Sequence, residues 1–170
     1  KELRLRESLR LMRNAIDEFK RDTIGACPQG AVTSGNPTIA AQGGNIPTDP
    51  RSRVVVDDCK RFESDNPDRY PPTIETLVDG VKVKARGVNV TGGSGISGDT
   101  KQATELNEIK ELNKIYLREL PIDPMTGKAD WKFRSSYQDK DSDNWDEINV
   151  FDVRSSSDEE AMNGEKYSEW

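Results

Sequence analysis

The first 22 residues, KELRLRESLRLMRNAIDEFKRD, constrain the fold most, because only one regular structure makes sense of them. Leu5, Leu9, Met12, Ile16 and Phe19 recur at spacings of four, three, four and three, which sets them on one face of an α-helix. Glu2–Arg6 and Asp17–Arg21 are acid-then-base pairs four apart, an arrangement that supports a helix. Gly25 and Pro28 predict its end. A one-sided stripe of this kind must be covered, so the helix is expected to pack on a sheet. Arg4, Arg6, Arg10 and Arg13 are expected on the opposite face, either solvated or turned toward the acids of a neighbouring molecule.

Downstream the pattern changes. Residues 23–48 hold no charge, five Gly and three Pro, and predict a long loop. RVVVDDC (53–59) fits either a short strand or a helical turn. YPPTIETLVDG (70–80) predicts a short helix, with Pro tolerated at its start and Gly80 at its stop. VKVKA (81–85) alternates strictly, as a half-buried strand does. Leu106, Ile109, Leu112, Tyr116 and Leu120 predict a second helix, ended by Pro121. PIDPMTGKADW (121–131) is a turn-rich connector. Trp131, Phe133 and Tyr137 are expected to alternate on one strand, and INVFDV (148–153) on another. Tyr167 and Trp170 close a polar run, which predicts a tail that folds back and docks an aromatic ring. The expected class is α+β, one domain of 170 residues, with a long N-terminal helix on a small antiparallel sheet and extended loops.

Composition excludes several functions. No apolar run approaches the roughly 18 residues that span a bilayer. The chain has no His, which removes Ser-His and Cys-His catalysis and the commonest metal ligand. No nucleophile–base pair stands out, so no reaction is assigned and the chain is expected not to be an enzyme. Of the net charge of -6, residues 139–170 carry 11 acids and 3 bases, a net of -8. That end disfavours nucleic acid and suits cations or a basic surface on another subunit.

Three motifs leave alternatives open. Cys27 and Cys59 are the only cysteines, 32 positions apart. They form either one disulfide, worth about 3–4 kcal/mol by loop closure, or two unrelated thiols. Gly93, Gly95 and Gly98 have the spacing of a dinucleotide fingerprint but lie in a polar Gly/Ser-rich stretch without βαβ context, so a plain loop competes with nucleotide binding. Asp139, Asp141 and Asp143 form DxDxD, three carboxylates able to converge on calcium. Val150 stands where the twelfth ligand of such a loop belongs, so a solvated acidic loop is the alternative.

The stretches RESLRLMRNAIDEFKRD (6–22), YPPTIETLV (70–78), YLRELPIDPMTGKADW (116–131), NVFDVRSSS (149–157) and the ending YSEW occur in an order that resembles pseudopilins of the type II secretion system, nearest the major pseudopilin. The resemblance covers most of the chain except about 23–66 and 81–105. It implies a structural subunit of a periplasmic pseudopilus: a homopolymer with like subunits and other pseudopilins, docked on an inner-membrane secretion platform, that drives export of folded proteins. It implies that residues 1–22 are the C-terminal half of a longer spine helix whose apolar, methylated N-terminal part anchors the subunit in the inner membrane. Lys1 is accordingly expected to open the periplasmic part only. Residues 23–66 would be a variable loop, 67–138 short helices, a strand and a connector, and 139–170 an acidic strand and tail. A calcium site near the C-terminus is also implied, with Asp158, Glu159 and Glu160 as second candidates beside Asp139, Asp141 and Asp143. A type IV pilin or minor pilin of an adhesive, motility or DNA-uptake fibre is the nearest alternative.

Overall fold

The computed structural model describes residues 1–26, 49–62, 64–85 and 112–170. Helix α1 spans Glu2–Asp22. Leu5, Leu9, Met12, Ile16 and Phe19 are all at most 2% exposed, as the periodicity predicts. Full burial of each such side chain is worth about 1.5–3 kcal/mol. Lys20 and Arg21 sit in the last turn, where cations complement the helix dipole. The end is closed by Thr23, whose amide reaches the Phe19 and Lys20 carbonyls, and by Gly25 at φ +79°.

The stripe is covered by two small antiparallel sheets. In the first, β1 (Val54–Val56), β2 (Val81–Ala85) and β3 (Leu112–Lys114) lie in that order. Val56 faces Val83 across β1 and β2, and Val81 faces Lys114 across β2 and β3. β2 buries Val81 and Val83 and exposes Lys82 between them, the alternation read from VKVKA. In the second sheet, β4 (Lys132–Arg134) pairs with β5 (Asp152–Arg154), Phe133 opposite Val153. Helix α2 (Glu75–Asp79) supplies Leu77 to the same core. Gly80 then turns into β2 at φ +83°; a Cβ there would lie 2.9 Å from the Lys114 carbonyl oxygen, so only glycine fits.

The RVVVDDC stretch forms both structures considered for it: β1, then a 3₁₀ turn at Cys59–Arg61. Three other expectations need correction. Of the helix expected from Leu106 to Leu120, residues up to 111 lie outside the described residues; Leu112–Lys114 is a strand and the rest is irregular. Pairing with β2 decides this, and the Tyr116 and Leu117 amides both bond to the Leu77 carbonyl. Tyr137 lies past the end of β4, in a turn, because the Gln138 amide already bonds to the Ser135 carbonyl. INVFDV pairs regularly only from Asp152; before that, the Val150 amide bonds to the Pro71 carbonyl, outside both sheets.

The stretches quoted above are one another's partners. Asp123 of the connector, fully buried, caps its own turn through the Met125 amide at 2.8 Å and accepts the Ser155 hydroxyl at 2.6 Å. Trp131 Nε1 donates to the Pro121 carbonyl at 2.8 Å. Asn149, also buried, donates to Asn66 and Ser136 and accepts the Ser136 amide. Such satisfied networks specify one packing. A long N-terminal helix on small antiparallel sheets with extended connections is the broad pilin-like architecture.

Candidate assembly face

Having buried one face, α1 presents another. Leu3 is 71% exposed and Leu11 52%. Ile122 of the connector, 63% exposed, stands beside Leu11 across a groove of about 610 Å³ that also involves Arg4, Glu7, Ser8 and Pro124. Leu11 and Ile122 therefore meet on the surface with the charged Arg4 and Glu7 beside them, while Leu3 lies outside this groove.

The basic side of α1 is only partly available to a neighbour. Arg13 Nε pairs with Asp152 at 2.8 Å, and its Nη2 donates to the main-chain oxygens of Val153 (3.0 Å) and Trp170 (2.6 Å). The Arg6 guanidinium lies over the Trp170 ring, 4.4 Å from its centre. Glu2 makes no ion pair with Arg6 among the described residues; it accepts the Tyr167 hydroxyl at 2.9 Å and the Met162 amide at 3.3 Å. Tyr167 packs edge-on against Trp170. The closing aromatics thus dock on the helix, as their position predicts, and take Arg6, Arg13 and Glu2 with them. Arg4 and Arg10 stay exposed.

At its other end α1 is fastened by a group that periodicity alone did not expose. Asp22 is fully buried; Oδ1 accepts Ser52 Oγ at 2.6 Å, and Oδ2 accepts Lys114 Nζ at 2.7 Å and the Tyr116 hydroxyl at 2.8 Å. Lys114 also pairs with Glu18 at 2.8 Å. Burial would lower the Lys114 pKa, but its hydrogen bonds to Asp22 and Glu18 outweigh that and raise it. The available signal was a carboxylate three residues beyond Phe19, on the apolar stripe itself.

Asp139, Asp141 and Asp143 occupy one exposed turn. Among the described residues no three His, Cys, Asp or Glu side chains are grouped to hold a metal ion. Asp141, Asp143 and Asp158 border one cleft of about 320 Å³, together with four basic side chains: Lys132, Arg134, Arg154 and Lys166. Lys132 pairs with Asp158 at 3.7 Å. The cleft therefore holds its own counter-charges. Cys59 opens the turn after β1, and Cys27 lies outside the described residues, as do Gly93, Gly95 and Gly98. No described helix is long and apolar enough to cross a membrane. Compared with known proteins, the chain matches no family model, no curated protein and no solved structure.

Proposed function

We propose that this chain is the periplasmic head of a pseudopilus subunit of type II secretion, a structural protein that polymerises and is not an enzyme. The observation that carries the reading is that α1 uses one whole face for its own core and still presents Leu11 on another, beside Ile122, with Leu3 exposed as well. An isolated domain gains nothing from two exposed leucines on its longest helix; a subunit stacked along a filament buries them. Repeating one heterologous contact without ring closure builds a helical fibre, and many weak contacts hold it together. In this reading α1 is the head-proximal part of a spine anchored in the inner membrane, as the sequence resemblance implies. A calcium ion on the turn of Asp139, Asp141 and Asp143 belongs to the same reading. A melting temperature equal in calcium and in chelator would remove it.

The test is Leu11→Asp and Ile122→Asp in the secreting bacterium. Both sites are exposed, so the heads should melt within about 0.5 kcal/mol of wild type, while export of folded protein falls. Undiminished export by both variants would overturn the proposal. Lost surface motility or DNA uptake with normal export would instead assign the chain to type IV pilins.

A further inference from the structure

The sequence contains a single Asn-Gly pair, Asn163-Gly164, and the fold sets it in an exposed turn of the tail. A glycine after Asn puts no side chain beside its own amide nitrogen, so that nitrogen is free to approach the Asn side-chain carbonyl. Met162, just before the pair, is 97% exposed, and a Cβ built on Gly164 would meet nothing within 4 Å. The site is therefore open to water. The single Asp-Gly pair, Asp79-Gly80, shows the opposite setting: Gly80 is buried against β3, and its amide bonds to the Thr76 carbonyl at 3.1 Å.

Hydrogen bonds hold the Asn163 turn closed. The Gly164 amide donates to the Ala161 carbonyl at 2.9 Å, and the Ala161 amide donates to the Glu165 carbonyl at 2.8 Å. Asn163 Oδ1 accepts the Glu165 amide at 3.1 Å, the bond of an Asx turn, and Nδ2 donates to the Glu165 carboxylate at 2.8 Å. These bonds restrain both reacting groups. The Gly164 nitrogen keeps its proton while Ala161 accepts it, and the Asn163 amide is held at both its atoms. Glu2 on α1 fastens the turn from outside, through the Met162 amide and the Tyr167 hydroxyl. Met162, Asn163, Gly164 and Glu165 are all exposed, and bonds in such a segment open locally without global unfolding.

We propose that Asn163 is a self-modification site whose rate is set by the docking of the tail on α1. When the turn opens, the Gly164 nitrogen loses its proton to solvent base and bonds to Asn163 Cγ. The Cγ–Nδ2 bond breaks, ammonia leaves, and a succinimide ring remains. Water then opens the ring, at Cγ to give Asp or at the main-chain carbonyl to give isoaspartate; nothing is oxidised or reduced. Either product adds a negative charge to a segment that already holds Glu159, Glu160 and Glu165. Isoaspartate also adds a carbon to the main chain inside the loop closed by the Glu160–Lys166 bridge. The Gly164–Ala161 bond then loses its register, and Met162 and Tyr167 come away from Glu2.

Peptide mapping by mass spectrometry, after incubation of the chain at mildly alkaline pH in heavy-oxygen water, tests this. Asn163 should be the first Asn of the folded chain to exchange its amide nitrogen for labelled oxygen, as a mixture of Asp and isoaspartate. Unfolding in urea should speed the reaction at least about tenfold, and Glu2→Ala or Glu165→Ala, in chains whose melting curves show them folded, about threefold. The isoaspartate form, separated by chromatography, should show faster amide exchange over residues 159–170 and unchanged exchange around Asp22. Another Asn reacting first in the folded chain, equal rates folded and unfolded, or two variants no faster than wild type would each overturn the proposal. So would an isoaspartate form whose tail exchanges like that of wild type.

Discussion

The two ends of α1 are held by similar groups in different surroundings. At its C-terminal end, Asp22 is fully buried and every bond to it comes from a side chain of another segment: Ser52, Lys114 and Tyr116. Toward its N-terminal end, Glu2, Arg6 and Arg13 are held by the last residues of the chain, largely through main-chain oxygens, an aromatic ring and a partly exposed ion pair. A buried charge cannot be given back to water, so it commits the fold. A half-exposed charge exchanges partners at little cost. The contrast places the rigid joint at the β1–β2–β3 end of the helix and the adjustable one at the end that carries the proposed contacts.

The largest effect should come from breaking the rigid joint. Asp22→Ala leaves the Lys114 ammonium and two hydroxyls without their buried acceptor and should cost about 3–5 kcal/mol in urea unfolding. A loss under 1 kcal/mol would mean that the joint is not what holds this end. The pH dependence sharpens the point. Because the Lys114 pKa is raised in the folded state, its contribution is complete below the ordinary lysine value and disappears as pH climbs through the raised one. The stability difference between wild type and Lys114→Met should therefore be flat from neutral pH to about 9.5 and shrink above about 10.5. Shrinkage already at pH 8 would contradict the assignment.

A smaller effect is expected at the adjustable joint. Arg13→Ala removes one ion pair and two main-chain bonds at a site 39% exposed, and should cost about 1 kcal/mol. Its signature is local: amide exchange should quicken in the first half of α1 and in the tail, and stay unchanged around Asp22. Equal quickening at both ends would show that the two joints act as one.

Parts of this division were legible in the residues and parts were not. The core face of α1, the strand at 81–85, the stop at Gly80 and the docking of Tyr167 and Trp170 all follow from local patterns that burial then respects. The 112–120 stretch misleads because spacings of three and four arise by chance in a short window, while the deciding partner, β2, lies some 30 residues away. The meeting of Leu11 and Ile122 was invisible for a related reason. Leu11 falls outside the dominant stripe, and Ile122 joins it only when the connector turns back through Asp123.

By itself the sequence determined the long helix, its buried face and the acidic character of the last 32 residues, because periodicity and charge are local properties. Only the tertiary structure decided which arginines are already taken, which acids have cations beside them and which apolar side chains are left over. Those are questions of who stands next to whom, and a chain answers them only after distant segments have competed for the same partners.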